Sequence, residues 1–330
     1  MKLELDETEL AERLHGLSAK PVFSNNLREW KEKEAGTGMI WQEKLLPCEI
    51  AVVIDSTGHY QNFLKGDAEG SLDHWWEENA LSGHPVSRER VTHIYIGSQF
   101  CPHLLPDEET MRCLAEKALS SSLTPVFCLP PMQEHLLPRF ESVFLSLSAF
   151  GEKAGIRPEL VINDIGAALL LRDMEEKGRI PLKSLSLTAG ILLTRRRKDP
   201  RSTAAQAGCP DTLFARYLAE QLGIERFSHE TGSAAPVQGR ENILHLPLYQ
   251  TNTSGYCTLY AACRYHDRGR QAPVSGCPEY CRDHAFLYPE DHHMAGLGNT
   301  LFGCSMAELN DVQALNRLIR ADITRLALRL

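Results

Sequence analysis

The chain has 330 residues, of which 43% are hydrophobic and 24% charged, a composition typical of a folded globular protein. Its formal net charge of -8 argues against broad non-specific binding to a nucleic-acid backbone, which depends on clustered Lys and Arg. The acidic N-terminus and the shortness of the longest apolar runs predict neither a signal peptide nor a membrane span. We therefore expect a cytoplasmic protein.

Short, apolar, β-rich segments recur along the chain, and most alternate with stretches that have helical spacing. This alternation predicts parallel strands covered by helices, and eight strands fit a closed (β/α)8 TIM-type barrel, possibly irregular or incomplete. A doubly wound open sheet is the alternative, but no Gly-rich dinucleotide-binding loop follows any segment. The predicted strands are residues 49–56, 91–98, 123–130, 159–166, 182–190, 223–230, 242–251 and 299–305.

Several parts of the chain lie outside a minimal barrel. We interpret residues 1–48 as an N-terminal extension and residues 49–330 as the barrel domain. Residues 57–90 read as an insertion after the first strand, and residues 250–299 as a long, Cys-rich seventh loop. A loop of that length is unusual in a compact domain, and a bound metal would explain its order.

The last segment, from Ser305 onward, predicts one helix. Ser305 and Glu308 have the spacing of a capping box at a helix N-terminus. Apolar residues then recur at helical spacing and predict a stripe that packs against the barrel: Leu309, Val312, Leu315, Ile319 and Ile323.

Active sites of such barrels are built at the C-terminal ends of the strands. That rule selects Asp55, and it selects Asn163 and Asp164 after the fourth strand. Asn163 and Asp164 could bind a substrate hydroxyl or transfer protons, or could merely cap the next helix. His229 and Glu230 end the sixth strand and could form an acid–base couple or an orienting pair.

Two further groups are weaker candidates. The basic run at residues 195–201 could bind a phosphate, another dianion or RNA, although such runs are more often solvated loops. His292 and His293 could ligate a metal, although exposed loop histidines are commoner.

Ten cysteines are spread along the chain, and four of them, Cys257, Cys263, Cys277 and Cys281, fall within one stretch. In a reducing compartment a disulfide framework is the poorer interpretation. Thiolates in one loop are typical ligands of zinc or of an iron–sulfur cluster, and the spacing leaves both open. The alternative is that several are buried as small hydrophobic side chains. On the rim of a barrel, Cys101 and Cys304 could join the group.

Five motifs, by their order and their positions after predicted strands, resemble the collagenase-like peptidase U32 family. They are IYIGSQFC (94–101), ELVINDIG (159–166), PLYQTNTSGYC (247–257), GCPEYC (276–281) and GLGNTLF (296–302). The resemblance covers most of the chain from about residue 90. It is closest to the iron–sulfur members that act in anaerobic ubiquinone biosynthesis, and it implies a barrel with a [4Fe-4S] cluster.

Carried over by position, the resemblance implies Cys101, Cys257, Cys277 and Cys281 as the cluster ligands. The gap between Cys257 and Cys277 is longer than in the family, so Cys263 could replace Cys257, or Cys101 if one loop holds the cluster. Cys304 is a further candidate replacement for Cys101 or Cys257.

The implied activity is an oxygen-independent hydroxylation, or a related redox modification, of a small molecule or an RNA base. The alternative is a non-catalytic subunit, stabilised by a cluster or by zinc, that works in a complex with a related barrel protein. A U32-type peptidase is a third possibility, but the sequence has no legible nucleophile or zinc-protease motif.

Overall fold

The strands and helices come from a computed structural model that describes residues 17–19, 43–79, 81–194, 212–231, 236–270, 272–287 and 294–329. In chain order the strands are β1 (Leu17–Ala19), β2 (Glu49–Ile54), β3 (Val91–Gly97), β4 (Thr124–Cys128), β5 (Glu159–Ile162), β6 (Ser186–Ala189), β7 (Ile224–Glu230), β8 (Glu241–Leu246), β9 (Leu248–Thr253), β10 (His284–Leu287), β11 (Ala295–Leu297), β12 (Thr300–Cys304) and β13 (Ile323–Leu328).

The helices of the described residues flank these strands. They are α1 (Thr57–Lys65), α2 (Ala68–Glu78), α3 (Glu108–Ser120), α4 (Leu137–Ala154), α5 (Ile165–Glu176), α6 (Ile191–Thr194), α7 (Thr212–Gln221), α8 (Thr258–Tyr265), α9 (Met306–Asn310) and α10 (Val312–Arg320). Within those ranges, every helix is too short or too polar to cross a lipid bilayer.

Eight parallel strands close into a barrel in the order β13-β2-β3-β4-β5-β6-β7-β8. The predicted (β/α)8 barrel is therefore confirmed. Seven of the predicted segments contain barrel strands, and α1 and α2 lie in residues 57–90, between the first two. Apolar side chains of the strands pack outward against the helices, and a smaller cluster, which includes Val53, Tyr95 and Val126, fills the interior.

The eighth strand is not residues 299–305, as we predicted, but β13. The last segment is also not one helix, because α9 and α10 are short and are followed by a strand. Asp311 separates the helices, since its carboxylate accepts the N–H of Ala314 and caps α10. Pairing with β2 on one side and β8 on the other then outweighs the helical spacing that Ile323 suggested.

A second, antiparallel sheet stands beside the barrel in the order β1-β10-β11-β12-β9. Most of it comes from residues 250–299, so the stretch predicted as a Cys-rich loop contains ordered strands. The predicted strand 242–251 divides at the cis peptide between Leu246 and Pro247 into β8, in the barrel, and β9, in this second sheet. The turns of the second sheet therefore lie near the C-terminal end of the barrel.

Candidate metal centre

Cys101 lies in the loop after β3, at the C-terminal mouth of the barrel. The loop begins at Gly97, whose φ is +108° and whose added Cβ would lie 2.4 Å from the carbonyl oxygen of Cys128. Only glycine fits this close approach. Ser98 then tightens the turn, because its Oγ accepts the N–H of Cys101 at 3.0 Å. The backbone thus fixes Cys101, which is 7% exposed, over the end of the barrel.

Cys257 lies at the N-terminus of α8. Its Sγ accepts the N–H of Tyr260 at 3.2 Å, the position that a Ser or Asp oxygen usually occupies at a helix start. This N–H lowers the pKa of the Cys257 thiol, but the effect of burial is larger.

Cys277 and Cys281 flank a tight turn. Glu279, between them, has a left-handed backbone with φ of 57°, and its N–H donates to the Sγ of Cys277 at 3.4 Å. Cys281 faces the turn before β12, where an added Cβ on Gly298 would lie 3.9 Å from its Sγ. Cys281 lines the pocket at the barrel mouth, and both thiols are half-buried.

The thiols of these segments interact electrostatically. Burial, opposed by the N–H of His103 and reinforced by Cys257 and Cys277, raises the pKa of Cys101 to about 12. Burial, opposed by the N–H of Tyr260 and reinforced by Cys281 and Cys277, likewise raises the pKa of Cys257 to about 12. The thiols of three segments are thus near enough to influence one another's ionisation, and a bound cation would lower the pKa of each.

Cys263 and Cys304 are placed differently. Cys263 packs with Leu259 and Ala262 on α8, and burial alone raises its pKa to about 11. Cys304 ends β12 and lies beside Tyr249. These surroundings favour Cys101, Cys257, Cys277 and Cys281 as the metal ligands. Which four of the six cysteines bind the metal stays a prediction.

Among the residues that the structure describes, no group of three or more His, Cys, Asp or Glu side chains is placed to hold a metal ion. A structural zinc draws on four convergent ligands, whereas each cysteine of a [4Fe-4S] cluster binds a different iron. Zinc and an iron–sulfur cluster both stay predictions.

A pocket of about 50 Å³ opens beside the thiols, and Cys101 and Cys281 both line it. Its other wall is Arg329, whose guanidinium lies 4.9 Å from the ring centre of Phe100 and 4.2 Å from that of Phe302. Arg329 also forms an ion pair with Asp55. Our sequence reasoning selected Asp55 but missed Arg329, because we assigned the final residues to a helix.

Asn163 and Asp164 bind backbone groups of neighbouring loops. The Nδ2 of Asn163 donates to the carbonyl of Leu129 at 2.9 Å, and its Oδ1 accepts the N–H of Leu192 at 3.2 Å. Asp164 accepts the N–H of Ala167 at 2.9 Å and so caps α5. These contacts match the capping alternative, and a catalytic role for either residue stays a prediction.

His229 and Glu230 point to opposite faces of β7, since successive strand residues alternate. The Nε2 of His229 lies 2.9 Å from the Oδ1 of Asn242, whereas the carboxylate of Glu230 accepts the N–H of Gln250. A direct acid–base contact between the two is thus not part of this arrangement, and their catalytic role also stays a prediction. The basic run 195–201 and His292–His293 lie outside the described residues.

No protein-family model matches the chain, and no curated protein matches it. Among solved structures, the chain is similar to the U32 peptidase Mk0906, with 8% sequence identity and a TM-score of 0.39. That match covers 89% of this chain and 96% of the other. A similarity this low assigns neither a family nor an activity.

Proposed function

We propose that this barrel protein binds a [4Fe-4S] cluster through Cys101, Cys257, Cys277 and Cys281. The observation that carries the proposal is the placement of these cysteines: Cys101 follows β3, Cys257 begins α8, Cys277 and Cys281 share one turn, and Cys101 and Cys281 line the same pocket. Backbone N–H groups already point at the sulfurs of Cys257 and Cys277, and such hydrogen bonds stabilise thiolate ligands and tune a cluster.

We further propose that the protein carries out an oxygen-independent hydroxylation or a related redox modification. The bound cluster would supply electrons or a Lewis-acidic iron. The neighbouring pocket supports this function, because Cys101 and Cys281 line it together with charged and polar side chains. The pocket is small, about 50 Å³, and Asp55, Asn299 and Arg329 in its lining can bind the polar end of a small molecule or of a nucleobase.

The protein's own residues prepare this pocket. Phe100 and Phe302 are each 3% exposed and form apolar walls that limit the access of water. Arg329, packed against both rings, presents a guanidinium that can donate to a substrate oxygen. Asp55 fixes the orientation of Arg329 through their ion pair and partly neutralises its charge.

The test is the iron, sulfide and zinc content of protein purified without oxygen. We expect iron and acid-labile sulfide in about equal amounts, near four of each per chain. Changing Cys101, Cys257, Cys277 or Cys281 singly to Ala should remove most of both. Cys263→Ala is the matched control, because that thiol is also buried on the same helix that Cys257 begins.

Zinc without sulfide in the unaltered protein would overturn the cluster assignment. Loss of iron from Cys263→Ala together with its retention in Cys101→Ala would overturn the ligand set.

A further inference from the structure

Asn299 lies in the turn between β11 and β12, next to the cysteine site. Its Nδ2 donates to the carbonyl oxygen of Phe100 at 2.9 Å and to that of Ser254 at 3.0 Å. Its Oδ1 accepts the hydroxyl of Thr300 at 3.1 Å, which fixes the orientation of the amide. All the hydrogen-bonding capacity of the Nδ2 group is thus used in two contacts across the molecule.

Those two carbonyls belong to the segments that carry two of the cysteines. The Phe100 carbonyl is part of the peptide group that leads into Cys101, and Ser254 lies at the start of the turn that leads into Cys257. The backbone adds to this connection, because the N–H of Ser254 donates to the carbonyl oxygen of Asn299 at 2.9 Å. One side chain therefore joins the Cys101 loop to the Cys257 loop.

The two loops belong to different sheets. Cys101 follows a barrel strand, whereas Cys257 follows β9 of the antiparallel sheet. Their separation consequently depends on how the sheets are joined at this end. The rings of Phe100 and Phe302, whose centres lie 5.5 Å apart, pack the two sheets together without fixing their relative orientation. The two hydrogen bonds donated by Asn299 do fix the relative orientation of the sheets, since a hydrogen bond weakens quickly as it departs from linearity.

We propose that Asn299 is a positioning residue that sets the distance between Cys101 and Cys257. This inference rests on the proposed cluster site. Replacing Asn299 by Asp keeps the shape of the side chain but removes both donors and directs a carboxylate at two carbonyl oxygens. The Cys101 loop and the Cys257 loop should then separate, while Cys277 and Cys281, held by their own turn, should keep their spacing.

The experiment compares Asn299→Asp with Asn252→Asp in the full-length protein. Asn252 lies on β9 of the same sheet and is exposed, so it receives the same change of charge without the two contacts. Metal-free protein is treated with dibromobimane, which links pairs of nearby thiols, and the linked peptides are quantified by mass spectrometry. Iron and sulfide are measured in parallel after anaerobic cluster assembly.

We expect the link between Cys101 and Cys257 to fall by roughly tenfold in Asn299→Asp, as the loss of two hydrogen bonds predicts. The link between Cys277 and Cys281 should be unchanged, iron retention should fall, and Asn252→Asp should behave like the unaltered protein. Equal loss of both links would show a general structural role and overturn the proposal. An unchanged link between Cys101 and Cys257, or its absence from the unaltered protein, would overturn it too.

The cross-linking of Cys101 to Cys257 is measured on metal-free protein and does not depend on cluster binding. If the unaltered protein binds no iron but its Cys101–Cys257 link is lost in Asn299→Asp, then the proposed function fails and the positioning role of Asn299 is supported. If iron binds normally in Asn299→Asp, the proposed function is unaffected and the positioning role is wrong.

Discussion

The two ends of the barrel use charge in opposite ways. At the N-terminal end, Arg325 is 3% exposed and reaches four partners on other strands, one of which is His93, whose Nε2 lies 3.2 Å away. It donates to Glu159 at 2.9 Å, to the hydroxyl of Tyr95 at 3.0 Å and to Glu49 at 2.7 Å. Each charge there has a protein partner of opposite sign or a hydrogen bond, which is the condition for burying ions without a large penalty.

At the C-terminal mouth the crowded groups have the same sign once ionised. Burial raises the pKa values of Cys101 and Cys257, backbone N–H groups oppose this rise, and neighbouring thiols reinforce it. The contrast is between an N-terminal end whose buried charges are paired within the protein and a mouth whose thiols would repel one another if they ionised. Barrel proteins generally divide stability and function between these ends.

The substitution Arg325→Met is the strongest test of this difference between the two ends of the barrel. Methionine keeps much of the volume but leaves Glu159 buried without its main partner, so we expect a loss of about 3–5 kcal/mol in the free energy of unfolding. Urea unfolding measures this. Arg112→Met, which removes exposed ion pairs on α3, is the control and should leave the free energy of unfolding nearly unchanged. Similar losses in both variants would contradict our account of the N-terminal end.

The stability contributed by the N-terminal end should also depend on pH. Burial, with the positive charge of Arg325, lowers the pKa of His93 from 6.5 to about 4. The unfolded chain therefore takes up this proton first, and the stability from neutral His93 is complete above pH 6.5 and is lost as the pH falls toward 4. Between pH 7 and pH 5 this amounts to about 2 kcal/mol.

Urea unfolding of the unaltered protein and of His93→Asn at both pH values isolates that contribution. The fall in stability on acidification should be smaller in His93→Asn, and an identical fall would show that His93 does not carry it. Metal content at the mouth should not alter the difference.

The smallest expected effect concerns the mouth. The hydroxyl of Thr57, at the start of α1, donates to the carboxylate of Glu279 at 2.6 Å and so ties the turn of Cys277 and Cys281 to the barrel. Thr57→Val should weaken this tie by about 1 kcal/mol and speed the loss of iron to a chelator about fivefold. Thr92→Val, which removes a comparable hydroxyl bond near the other end, should leave that rate unchanged.

The barrel could be predicted because seven strands are short apolar runs bounded by polar or Gly residues, a local signal. The eighth strand, β13, could not be predicted, because Ile323 continues a helical stripe. Only pairing with β2 and β8 makes residues 323–328 a strand. The cysteines stood out because their residue type is rare. Arg329 and Asn299 did not, since their importance comes from contacts such as that of Asn299 with Phe100, distant in sequence.

The position of β13 has a consequence for biosynthesis. Glu49 of β2 pairs with Arg325 of β13, a separation of 276 residues. Until β13 leaves the ribosome, β2 and β8 are both open edges that can recruit strands from other nascent chains. The ring therefore stays open while the 276 residues between Glu49 and Arg325 are made, and a chain cut before residue 323 would keep two unpaired strand edges.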